Sequence, residues 1–169
     1  MPFQIIRNDI TKVEVDAIVN TANPKPVYGN GVDQAIYKAA GEKELLVERR
    51  KIGDIKPGNV AVTPAFQLPA NYIIHTVGPI YSYFDKANNE MLLKNCYINT
   101  LKLAKSKGIK SIAFPGISTG VYGYPLKEAV VIAVNTVKEW IETNDYDIEV
   151  RFCCFTKEEY DEYRKYIEI

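Results

Sequence analysis

The chain has 169 residues, 47% of them hydrophobic, with 21 Lys plus Arg against 21 Asp plus Glu. That length suits a compact domain with a sizeable core, and a net charge of zero excludes the global field that would draw nucleic acid or an acidic membrane. No stretch approaches the ~18 apolar residues of a spanning helix, and one histidine with three cysteines gives a metal site little to be built from.

The start, Met1-Pro2-Phe3-Gln4-Ile5-Ile6, lacks a basic segment followed by an apolar run, so no signal peptide is expected. Phe3–Ile6 reads as a strand, followed by the loop Asn8-Asp9-Ile10-Thr11. A second strand, Ala17–Asn20, runs into "NTANPKPVYGNGVD", which delivers Asp33 to a helix start. That helix passes through Ala35, Ile36, Ala39 and Ala40 to Gly41. Strands Asn59–Thr63 and Tyr72–Thr76 follow, and Thr76–Asn89, with Pro79 and several aromatics, reads as a loop. A helix over roughly Asn88–Lys107 stops at Gly108, a residue suited to the left-handed C-terminal position. Strand Ser111–Phe114 enters "FPGISTGVYGYP", and the next helix carries Leu126, Val130, Ala133, Val137 and Trp140 as one stripe that must face a sheet. The last strand, Glu149–Phe155, holds Cys153 and Cys154 on opposite faces. With Cys96 they make an odd number, which predicts reduced thiols and a cytoplasmic setting. A final helix from Lys157 sets Tyr160, Tyr163 and Tyr166 or Ile167 on one side.

Strands alternating with helices predict an α/β sandwich whose mostly parallel sheet is covered on both faces. With no repeat, low-complexity tract or linker, residues 1–169 read as one domain. In such sheets ligands collect beyond the carboxyl ends of the strands, where three of these loops fall. The loop Phe114–Pro125 holds Gly116, Gly120 and Gly123 but no lysine or arginine, and it fits neither G-x-x-x-x-G-K-[ST] nor G-x-G-x-x-G. Its backbone N–H groups, near a helix N-terminus, can nonetheless nest an anion without formal charge, and the Ser118 and Thr119 hydroxyls can add donors. Gly29-Asn30-Gly31 repeats the design, and two nests facing one crevice would suit a diphosphate. Taken alone, the glycines are equally well explained by turn geometry.

Four ordered motifs, "DITKVEVDAIVNTAN", "GNGVDQAIYKAAG", "HTVGP" and "FPGISTGVYGYP", together resemble the macro domain family, in its MacroD-type branch that includes bacterial O-acetyl-ADP-ribose deacetylases. The resemblance runs from Phe3 to the final helix. It implies a three-layer α/β/α sandwich with a mixed, mostly parallel central sheet, and an ADP-ribose crevice. It also implies a hydrolase that removes mono-ADP-ribose from acidic protein side chains, deacetylates O-acetyl-ADP-ribose, or does both. The partners implied are ADP-ribose, ADP-ribosylated protein and O-acetyl-ADP-ribose. No cofactor or metal is implied, direct nucleic-acid or membrane binding is not expected, and a monomer is. Two alternatives stay open: a non-catalytic ADP-ribose reader, and a regulator acting through a protein or RNA-processing partner.

By the same resemblance Asp9 reads the adenine amino group, the backbone of Ile10 lies beside the base and Phe155 packs on it. Gly31 and Val32, with Ser118, Thr119, Gly120 and Val121, direct backbone N–H groups to the diphosphate, and Tyr122 lies over the distal ribose. Asn23 hydrogen-bonds the distal ribose, and Asp33 is the carboxylate associated with hydrolysis. From the residues alone, Asp9 is as readily a local backbone cap, Asp33 a helix cap and Phe155 a half-buried strand aromatic. Asn20 is expected to stabilise its loop, His75 to be buried and satisfied, and Cys153 and Cys154 to pack in or near the core. The chain departs from the branch at Asn8, which replaces a glycine, and at Tyr28 and Asn30, which interrupt a glycine run. Asn30 tolerates left-handed backbone angles, and Pro24 and Pro26 stiffen the approach.

Overall fold

The computed structural model describes residues 3–166. Its elements run β1 (Phe3–Arg7), β2 (Ala17–Thr21), α1 (Val32–Ala40), α2 (Glu42–Ile52), β3 (Val60–Pro64), β4 (Tyr72–Thr76), α3 (Lys86–Ser106), β5 (Ser111–Phe114), α4 (Leu126–Asn144), β6 (Glu149–Cys154) and α5 (Lys157–Arg164). The strands form one sheet in the order β1-β6-β5-β2-β4-β3. Every neighbouring pair is parallel except β3 with β4, which is antiparallel.

The sheet is buried on both faces, and successive strand residues feed two cores, as a two-residue side-chain period requires. Ala17 and Val19 of β2 point into the larger core, against Leu93, Tyr97 and Leu101 of α3, the Val130–Ala133–Val137–Trp140 stripe of α4 and Tyr163 of α5. Ile18, between them, points to the other face and meets Ile36, Tyr37 and Ala40 of α1 and Leu45 of α2. Cys154 and Cys153 divide in the same way. All three thiols are free and buried, and burial pushes Cys153 up to about 11 and Cys154 to about 12. The outcome is the three-layer α/β/α arrangement.

Several boundaries differ from the sequence reading. Helix α3 begins at Lys86, two residues earlier than expected, because the Asp85 side chain accepts from Asn88 N and caps it. Strand β6 ends at Cys154, so Phe155 lies outside it. Helix α2 was not anticipated, since it buries only Leu45 and Arg49 and so shows no apolar stripe. Gly41, at φ +118, ends α1 and starts α2 without an intervening loop. Tyr163 is buried, and Tyr160 and Tyr166 pack at the edge of the larger core. Ile167 lies outside the described residues.

Candidate functional site

A cavity of about 800 Å³ opens beyond the carboxyl ends of β1, β6, β5 and β2. The three loops singled out above converge there, and every residue nominated for ligand contact or catalysis, from Asp9 to Phe155, lines it. The lining carries the carboxylates of Asp9, Asp33 and Glu159, and no lysine or arginine. Among the described residues no group of three or more His, Cys, Asp and Glu side chains could hold a metal ion.

At one end, Asp9 starts a 3-10 turn over Ile10–Lys12. Its Oδ1 accepts from Thr11 N (3.0 Å) and Thr11 Oγ1 (2.7 Å), so the cap reading is correct for one oxygen. The half-buried carboxylate keeps its second oxygen for the cavity it lines. Phe155 is 74% exposed and lines the same end, which replaces the half-buried strand aromatic by a ring offered to a flat partner.

The middle of the cavity is backbone. The N–H groups of Ser118, Thr119, Gly120, Val121 and Tyr122 donate to no acceptor among the described residues, while Gly123 N and Tyr124 N close the turn on Gly120 O and Ser118 O. Opposite them stands the start of α1, where Gly31 is the N-cap with φ +66 and contributes no side-chain cap. The left-handed position is therefore Gly31, and Asn30 keeps ordinary backbone angles. In the longer loop the left-handed residues are Ser118 (φ 65) and Gly123 (φ 75), not Gly116 or Gly120. The Ser118 hydroxyl donates to Pro79 O (2.8 Å) and is buried, so it is a brace under the loop rather than an additional donor to a ligand. Gly120 lines the cavity, and a Cβ built on it meets no protein atom within 4 Å.

At the far end, Asp33 is 4% exposed. It does not cap α1. Its Oδ1 accepts from Asn20 Nδ2 and its Oδ2 from Gly29 N, both at 2.7 Å. Burial raises its pKa above the ordinary aspartate value, against the opposing effects of these two donors and of the Arg49 charge. The second N–H of Asn20 faces His75 Nδ1 (3.1 Å). Burial, reinforced by the Arg49 charge, lowers His75 to about 3, so the ring is neutral. With Nδ1 accepting, the proton resides on Nε2, which donates to Thr63 Oγ1 (2.9 Å). Asn20 Oδ1 is buried without a partner among the described residues, so both donors of this amide serve Asp33 and His75 while its acceptor is left unpaired.

Asn23 stands beside Asp33, donating Nδ2 to Val27 O (3.0 Å) and keeping Oδ1 free for the cavity it lines. Gly29 links the two: its N–H holds Asp33, and a Cβ there would come within 2.9 Å of Asn23 Nδ2. Beneath this loop Arg49 of α2, 1% exposed, donates to Asn23 O (2.9 Å), to Pro24 O and Lys25 O (3.3 Å each) and to Gly53 O. A planar fork of donors suits a ring of carbonyls that a lysine could not span. Tyr28 stacks on Tyr37 of α1 with centroids 4.9 Å apart, pinning the interrupted glycine run to the helix. Neither Arg49 nor Glu159 was found by sequence reasoning. Glu159 could have been, because Thr156-Lys157-Glu158-Glu159 spells a capping box directly after the last strand.

A family model, the macro domain, matches residues 19–133. An O-acetyl-ADP-ribose deacetylase from Citrobacter rodentium is 47% identical over 159 residues, covering 92% of this chain and 89% of that protein. Human ADP-ribose glycohydrolase MACROD2 is 45% identical over 95% of this chain, which spans only 38% of that protein's length. A macrodomain structure from Oceanobacillus iheyensis with ADP superposes with a TM-score of 0.92 at 42% identity, covering 97% of this chain and 88% of that one.

Proposed function

This chain belongs to the macro domain family, and on that footing we propose that it is a hydrolase of ADP-ribose linkages. It removes mono-ADP-ribose from acidic protein side chains, or acetate from O-acetyl-ADP-ribose. Relatives that share most of its length or its domain carry the corresponding names, deacetylase and glycohydrolase. The ADP in the Oceanobacillus structure corresponds to all of the ligand but the distal ribose. Adenine lies between Asp9 and Phe155, with Ile10 beside it. The diphosphate lies between the amides of Ser118–Val121 and those of Gly31 and Val32. The distal ribose then lies against Asn23, Asp33 and Tyr122.

The observation that carries the reading is a nearly buried carboxylate, Asp33, at the sugar end of a cavity without cations. Its raised pKa makes it a stronger base than a surface aspartate, and two donors fix its orientation. Asp33 takes a proton from a water that adds to the electrophilic carbon of the ester. The C–O bond breaks, and Asp33 returns its proton to the departing oxygen. Asn23 holds the ribose hydroxyls, Tyr122 limits movement of the ring, and no step uses a metal ion. A reader that binds without turnover is favoured by a different aspect of the same observation, because both Asp33 oxygens already brace the loop. Incubation with O-acetyl-ADP-ribose and with a protein mono-ADP-ribosylated on glutamate, with and without EDTA, separates the two. The enzyme releases product in both conditions; tight binding with no release from either substrate would establish the reader.

A further inference from the structure

Glu159 is the third carboxylate of the crevice, and the reading above leaves it without a task. Its Oε1 is engaged in the capping box of α5, accepting from Thr156 N (3.3 Å) and Thr156 Oγ1 (3.2 Å), while its own N–H donates back to Thr156 Oγ1 (3.2 Å). This holds the side chain in one orientation, and Oε2 reaches Gly116: a Cβ built there would lie 2.9 Å from it. Phe155 directly precedes the capping Thr156, and a Cβ at Gly116 would lie 2.9 Å from Thr119 Oγ1 as well, so Oε2 stands on the lining between the ring assigned to adenine and the loop assigned to the diphosphate. The adenosine ribose has to cross there.

We propose that Glu159 selects an adenosine ribose that carries free hydroxyls: Oε2 accepts a hydrogen bond from one of them and repels a phosphate in its place. The site therefore takes ADP-ribose groups and rejects those phosphorylated at the adenosine 2′ position. This rests on the ADP-ribose reading. The same logic operates where a carboxylate on the ribose hydroxyls of a dinucleotide site excludes a 2′-phosphate. A 2′-phosphate adds up to about two negative charges at neutral pH, within a few ångströms of a fixed carboxylate. No lysine or arginine of the lining offsets the repulsion.

Titration calorimetry of wild type and Glu159→Gln with ADP-ribose and with ADP-ribose 2′-phosphate tests this. Glutamine keeps the capping box, so the fold and the approach to the ribose are retained. Wild type should bind the 2′-phosphate at least about tenfold more weakly than ADP-ribose. In Glu159→Gln that ratio should fall to about threefold or less, because affinity for ADP-ribose drops with the lost charged hydrogen bond while the repulsion of the 2′-phosphate is relieved. Equal wild-type affinity for the two ligands, which needs no variant to measure, overturns the proposal alone, as does an unchanged ratio in Glu159→Gln. A wild type that binds neither ligand overturns the ADP-ribose reading and this proposal with it.

Discussion

One oxygen of Asp9 caps the turn at Thr11, and the proposed reading assigns the other to the adenine amino group. Asp9→Asn separates them, since an asparagine oxygen can keep the cap while its NH₂ meets the donor of the base. ADP-ribose binding should weaken by roughly 1–3 kcal/mol with little change in melting temperature, and unchanged affinity in calorimetry would remove adenine reading from Asp9. His75 makes an acid-side prediction. Its folded pKa, about 3, lies below the ordinary value near 6.5, so the unfolded chain binds the proton first as pH falls. The stability that this ring contributes is full above about pH 6.5 and is lost progressively toward pH 3. As the chain's one histidine, it gives an unambiguous NMR signal. The ring resonances should not shift between pH 8 and 5, and a midpoint near 6.5 would contradict the buried network. At this scale the sequence shows which residues meet in the crevice but not how each polar group is used. Ser118 sits where expected with its hydroxyl turned to Pro79, and Asp33 stands in the first turn of α1 while holding Gly29. Such partners are set by tertiary neighbours that no local pattern encodes.

The loop elements work by presenting backbone, and Gly120 is the sharpest case. Its φ is not in the left-handed region and its surroundings are open, so Gly120→Val should fold with near wild-type stability. In the proposed reading the branched side chain then takes the space of the diphosphate, and ADP-ribose binding should fall below detection in titration. A folded Gly120→Val protein with wild-type affinity would show that the anion lies elsewhere. Among the helices, α4 is legible from its stripe alone, because one whole side of it meets the sheet. Helix α2 is illegible for the opposite reason: it buries one leucine and a charge, and Arg49 makes sense only once the carbonyls of Asn23, Pro24 and Lys25 are gathered around it. The element that holds the Asn23 loop in place is thus the one the sequence pattern hides.

Across the whole molecule, the parallel order β1-β6-β5-β2 brings the ends of four strands to one rim. Three loops far apart in sequence meet there, and α1 directs its uncapped N-terminus across the gap. This much follows from strand–helix alternation and from the rule that ligands gather at carboxyl ends; the ligand itself does not, since neutral amides nest many anions. In the proposed function Asp33 performs chemistry at the sugar end of that rim rather than only bracing it. A positioned general base contributes about 10²–10⁴-fold to rate, or roughly 3–5 kcal/mol of barrier. The measurement that tests this most directly is single-turnover hydrolysis of O-acetyl-ADP-ribose by wild type and Asp33→Ala, across pH, beside calorimetric titration of ADP-ribose. Wild type should lose rate on acidification with a midpoint above that of an ordinary aspartate, because burial raises the Asp33 pKa. Asp33→Ala should lose most of its turnover at neutral pH, and the acid limb with it, while binding ADP-ribose within a few fold of wild type. An Asp33→Ala protein that hydrolyses at the wild-type rate, with the same pH profile, would contradict the account.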